Sequence, residues 1–97
     1  MAQVVYTQNA LANLQRVFDF LAEHDPHASI ASAAAIREAV EILSNHPLIG
    51  RRVERDVREL VISYGKTGYV ALYRFLPEQK LIRILAVRHQ RELDYPV

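Results

Sequence analysis

The spacing of apolar residues changes once along this chain, and that change limits the fold more than any other feature. Before Pro47, apolar side chains return every three or four residues; from Val57 onward, β-branched and aromatic residues gather in alternating runs. The first spacing marks one stripe of a helix, and the second marks a pleated strand. A chain patterned in this way is α+β, with its helices and most of its strands segregated along the sequence.

The helical part is well punctuated. Val4 to Tyr6 is short and β-prone, and Thr7 then offers an oxygen to cap a helix. Leu11, Leu14, Phe18, Leu21 and Ala22 fall on one helical stripe, with Arg16, Asp19 and Glu23 facing outward. This helix ends near His24. Asp25-Pro26 starts a second, because aspartate caps free amides and proline tolerates the first helical position. Its alanines (Ala28, Ala31, Ala33, Ala34, Ala35, Ala39) leave room for close approach, so a tight antiparallel helical hairpin is expected, running to about Ser44. Asn45-His46-Pro47 stops it, and Gly50 marks a turn.

Three strands are expected next, at Val57 to Ser63, Gly68 to Leu76 and Lys80 to His89, joined as a meander by two hairpins. In the middle strand Tyr69, Ala71, Tyr73 and Phe75 share one face, while Val70, Leu72 and Arg74 share the other. The predicted order is a short N-terminal strand, a two-helix hairpin and a three-stranded antiparallel meander, with the helices on one face of the sheet. The second face is left for a partner.

Size and composition narrow the chemistry. The 97 residues make a single domain, 1–97, whose small interior points any chemistry toward an open face. Without cysteine there is no disulfide, no thiol nucleophile and no all-cysteine metal site, which suits a reducing cytoplasm. No stretch approaches the roughly 18 apolar residues of a membrane span, and Met1 to Tyr6 lacks the pattern of a signal peptide. Residues 1–49 hold two basic and five acidic side chains, a net of −3, whereas residues 50–97 hold ten and six, a net of +4. Such asymmetry fits a surface for nucleic acid or for an acidic partner, and equally two solvated faces of different composition.

Two clusters carry candidate chemistry. Gly50 to Arg58 holds Arg51, Arg52, Arg55 and Arg58, whose guanidinium forks suit phosphates or carboxylates. Glu54 and Asp56 equally allow a self-neutralised solvated connection. The second cluster, Val87-Arg88-His89-Gln90-Arg91-Glu92, ends an apolar strand in polar residues. Histidine has an unperturbed pKa near 6.5 and exchanges protons around neutrality, and arginines beside it would stabilise a phosphorane-like transition state. The competing role for His89 is a structural hydrogen bond that closes the strand. Strand alternation sets His89 and Arg88 on opposite faces unless the strand bulges. No histidine spacing supports a metal site, and no glycine-rich phosphate loop or nucleotide fingerprint is present. Tyr64, Tyr69, Tyr73 and Tyr95 are candidates for base stacking; Tyr69 and Tyr73 read as core beside Phe75, and Tyr95 is the better stacking candidate.

In this order the pieces resemble the RelE/ParE superfamily, the toxins of bacterial type II toxin-antitoxin pairs, some of them plasmid-stabilisation systems. The likeness spans nearly the whole chain. It rests on Pro47-Leu48-Ile49-Gly50-Arg51, on Arg58-Glu59-Leu60, on Tyr69 through Tyr73-Arg74, and on Ile84 to Arg91. It implies a growth-arresting toxin held inactive by a cognate antitoxin, through which operator DNA is bound indirectly, with no cofactor. RelE-like members cleave messenger RNA at the ribosome; ParE-like members inhibit DNA gyrase. Val70, Val61 and Ser63 stand where the RelE pattern carries cations, which favours the gyrase-directed reading. The ribonuclease reading stays open as a metal-independent endoribonuclease, with His89, Arg91 and Arg74 catalytic. A nontoxic antitoxin-binding member is the third alternative. Arg51, Arg52, Arg55, Arg58, Arg88 and Tyr95 are the candidates for binding target or phosphate.

Overall fold

Two capped helices and a five-stranded sheet make up the computed structural model, which describes residues 1–64 and 67–92. The elements are β1 (Gln3–Tyr6), α1 (Gln8–His24), α2 (Pro26–Glu41), β2 (Arg51–Glu54), β3 (Val57–Tyr64), β4 (Thr67–Leu76) and β5 (Leu81–His89). Short 3-10 turns at Ile42–Ser44 and Pro77–Gln79 follow α2 and β4. The sheet order is β1-β5-β4-β3-β2, antiparallel throughout except that β1 runs parallel to β5.

Both helix starts follow the local chemistry. The Thr7 side chain accepts the Ala10 amide, and Asp25 accepts the amides of His27 and Ala28 with Pro26 in the first turn. The buried side of α1 is rotated from the expected stripe. Ala10 and Asn13 are buried, with Leu14, Val17 and Leu21 partly so, while Leu11 is 53% and Phe18 36% exposed. In α2, Ser29 and Ser32 are buried along with Ile36 and Val40, so small polar residues as well as alanines line the packed side.

The meander has one strand more than expected. Arg51–Glu54, anticipated as a connection, pairs with β3 as an edge strand, turning at Arg55-Asp56 with Arg55 in the left-handed region (φ 37°). The last strand begins at Leu81 because Lys80 also has positive φ and closes the preceding turn.

A bulge interrupts the alternation of β5, yet His89 and Arg88 both lie beyond it and remain on opposite faces. Tyr73 pairs with Ile84 but Leu72 pairs with Ala86, leaving Leu85 as the extra residue. Ile82 and Ile84 before the bulge, and Val87 and His89 after it, therefore all turn toward the helices, while Arg83 and Arg88 turn away. The start of α1 satisfies the disturbed ladder: Thr7 Oγ1 and Asn9 Nδ2 donate to the Leu85 carbonyl, and the Val87 amide donates to Asn13 Oδ1 at 2.9 Å. Because Asn13 and Val87 are both buried, Asn13→Leu leaves that amide unmet. The expected loss is about 1–3 kcal/mol, measurable as a lower urea midpoint with an unchanged slope.

The core lies between the helices and the sheet, around Ile36, Val40, Leu43, Tyr69, Ala71, Tyr73, Ile82, Ile84 and Val87. Tyr73 is fully buried, and its hydroxyl donates to the Pro47 carbonyl at 2.8 Å and accepts the Gly50 amide at 2.9 Å. One tyrosine thus ties the middle strand to the loop that feeds the edge strand. Burial raises its hydroxyl above the ordinary tyrosine range, against the opposing pull of the Gly50 amide and the Arg58 guanidinium.

Candidate functional site

Register divides the sequence candidates between two faces. On the face away from the helices, β2 to β5 bring Arg51 opposite Glu59 and place Arg88 opposite Val70. Arg51 Nη2 lies 2.6 Å from Glu59 Oε1, and Arg88 Nη2 lies 3.9 Å from Glu59 Oε2. Glu59 is 9% exposed, so this carboxylate is held among cations inside the sheet surface. Arg88 also donates to the carbonyls of His89, Gln90 and Glu92, bracing the chain as it leaves β5. Arg74 sits on the same face, with Nε 3.3 Å from Asp56 Oδ1.

The arginines of the β2–β3 hairpin have other tasks. Arg52 Nε donates to the Arg55 carbonyl at 2.6 Å, and Arg58 Nη1 donates to the carbonyls of Leu48 and Gly50. Carbonyl partners anchor a guanidinium without cancelling its charge. Arg52 and Arg55 are exposed at the turn.

His89 lies on the helix side. Its ring meets Tyr69 edge-on, with centroids 5.5 Å apart, and its Nδ1 accepts the Arg91 amide at 3.1 Å. An acceptor Nδ1 assigns the proton of a neutral imidazole to Nε2, which makes Nε2 a donor rather than a base. Arg74 is five residues along β4 from the His89 partner Tyr69, or about 17 Å of strand, and on the opposite face. His89 and Arg91 are therefore neighbours, whereas Arg74 and His89 are not brought together. Tyr95 lies outside the described residues.

Beside His89, a cleft of about 570 Å³ opens between α1 and the ends of β4 and β5. Val17, Phe20, Leu21 and Tyr69 give it an apolar lining, and Arg16, His89, Arg91 and Glu92 form its polar rim. Arg16 Nη2 donates to both oxygens of Glu92, at 3.0 and 3.1 Å, and the His89 amide donates to the same carboxylate. Partial burial pushes the Glu92 carboxyl upward, but the His89 amide and the Arg16 guanidinium outweigh it, so it sits below the ordinary glutamate range. Sequence reasoning missed this cleft, because Arg16 and Phe20 meet Glu92 and His89 only through the tertiary fold. It also missed Glu59, which was visible only as part of a motif. Among the described residues no group of three or more histidine, aspartate or glutamate side chains is arranged to hold a metal ion. No helix among the described residues is long and apolar enough to cross a membrane.

Residues 4–94 match the family model described as the ParE toxin of type II toxin-antitoxin system, parDE. The toxin RelE2 of Caulobacter vibrioides is 33% identical over 93 residues, covering 96% of this chain and 100% of that one. Among solved structures, the chromosomal ParDE system of P. aeruginosa aligns with a TM-score of 0.75 at 25% identity, over 92% of this chain and 96% of the other. The toxin-antitoxin complex RelBE2 of Mycobacterium tuberculosis aligns at 0.63 with 27% identity, over 92% and 98%.

Proposed function

The chain belongs to the ParE toxin family of type II toxin-antitoxin systems, and from that premise we propose that it arrests growth by binding DNA gyrase rather than by cutting messenger RNA. Its partner is a cognate antitoxin, in keeping with the ParDE and RelBE2 complexes it resembles.

The observation that supports a binding mode of action is the separation of His89 from Arg74. Cleavage of RNA without a metal needs a base for the 2′-hydroxyl, cations on the phosphate and an acid for the leaving oxygen, all within reach of one phosphodiester. Here Arg74 is turned to the far face beside Asp56, and the Arg91 amide occupies the nitrogen that would carry the proton of a basic imidazole. A surface that acts by binding needs no such convergence.

The ribosome-dependent ribonuclease is the second reading. It is favoured by the RelE name of the Caulobacter relative and by the adjacency of His89 and Arg91 at the cleft rim.

Purified toxin separates the two. In a plasmid supercoiling assay gyrase is expected to be inhibited or trapped with cleaved DNA, while messenger on a programmed ribosome stays intact. His89→Ala is expected to keep toxicity within about threefold, since a proton-transfer residue would cost about 100- to 10,000-fold. Cut messenger with unaffected gyrase would reverse the choice, and growth undisturbed on induction would point to a nontoxic antitoxin-binding member.

A further inference from the structure

The cleft beside α1 has features of an occupied site that the gyrase reading does not use. Phe20 is 63% exposed at its edge, although Val17, Leu21 and Tyr69 stand ready to pack against anything laid over that ring. An apolar recess of this kind takes a bulky side chain from a partner, which is how a few anchors come to dominate protein association.

The rim says more about what enters. Arg16 is already held by Glu92 through two hydrogen bonds, so those two charges cancel. Arg91 is exposed, and its guanidinium forms no ion pair among the described residues; its backbone amide alone is engaged, with His89. Among the described residues the rim therefore carries one positive charge without an ion-pair partner, next to an apolar floor. Its complement is a leucine or aromatic side chain with a carboxylate close by on the same segment.

We propose that this cleft receives an apolar anchor and an adjacent aspartate or glutamate from the cognate antitoxin, with the anchor over Phe20 and Tyr69 and the carboxylate on Arg91. The proposal rests on the antitoxin partnership stated above and assigns part of it to a particular surface. Phe20 and Arg91 are both exposed, so their substitution should leave the fold intact, which thermal melting of each variant checks.

The test is titration of the chain with its cognate antitoxin. Phe20→Asp and Arg91→Glu are each expected to weaken binding about 10-fold or more, while Phe20→Leu and Arg91→Lys stay within about threefold of the parent protein. The Arg91→Glu loss should shrink as salt rises, and the Phe20→Asp loss should not.

Tight binding that neither Phe20→Asp nor Arg91→Glu disturbs would overturn the cleft assignment and leave the partnership standing. Failure of the parent proteins to form any complex would overturn both. A toxin dimer abolished by Phe20→Asp, with antitoxin affinity unchanged, would give the cleft to a second copy and overturn the proposal as well.

Discussion

Gly50→Ala is expected to destabilise the fold by about 3 kcal/mol, the upper part of the usual range for overpacking a filled site. A methyl group there would lie 2.6 Å from both Cε1 and the hydroxyl of Tyr73, and 2.7 Å from the Glu59 carbonyl oxygen. None of these can retreat cheaply. Tyr73 is fully buried, and its hydroxyl is fixed between the Gly50 amide and the Pro47 carbonyl. The Glu59 carbonyl belongs to the backbone of β3, where Glu59 pairs with Arg51 on one side and Leu72 on the other. The methyl must therefore push the loop outward, breaking the Gly50–Tyr73 bond and loosening β2 at the sheet edge. For a domain of this size such a loss lowers the melting temperature by roughly 12–24 °C. Tyr73→Phe in the same chain removes the hydroxyl but leaves the ring carbon and the backbone oxygen, so only partial recovery is expected. A melting temperature within about 2 °C of the parent would mean that the loop moves freely and is not held by Tyr73.

Gly50 and Tyr73 also show how far sequence could lead. The turn at Gly50 and the core role of Tyr73 followed from composition and alternation. Their hydrogen bond did not, because it joins positions 23 residues apart. The helix caps at Thr7 and Asp25 were legible because capping is local chemistry. Strand β2 was not, since Arg51, Arg52, Val53 and Glu54 are all exposed and offer no buried face to alternate against; pairing with β3 makes them a strand. The stripe on α1 was misplaced for a related reason. Asn13 belongs to the buried side because a bulged strand presents an unpaired amide there, and hydropathy alone assigns asparagine to water. Among the site residues, sequence named His89, Arg91 and Arg74 as one group and set Arg74 on the face of Val70 and Leu72, but the face of His89 relative to the first half of β5 depends on the bulge at Leu85. The cleft was hidden entirely, since it is made where α1 crosses the end of β5.

Association with the antitoxin is expected to slow about 10- to 100-fold between low salt, near 50 mM, and 500 mM. The cause is the way charge is laid out rather than its total, which is only +1. Residues 51–58 carry four arginines against Glu54 and Asp56, and Asp56 is already engaged by Arg74. Arg52 and Arg58 spend their hydrogen bonds on carbonyl oxygens, which leave their charges uncancelled. This hairpin is the exposed edge of the sheet, while the helical half of the chain carries a net −3. An acidic partner segment would be turned toward the hairpin and the basic half before contact, an effect that screening removes as the Debye length shrinks to a few ångströms. Arg52→Glu combined with Arg55→Asn tests the source of the field. Asparagine tolerates the left-handed backbone at position 55, where φ is 37°, so the turn is kept while three units of charge are lost. The double variant should lower the low-salt association rate about 10-fold, flatten its salt dependence and leave the dissociation rate nearly unchanged. A parent association rate that does not respond to salt would remove steering by this hairpin and leave apolar burial to bring the two proteins together.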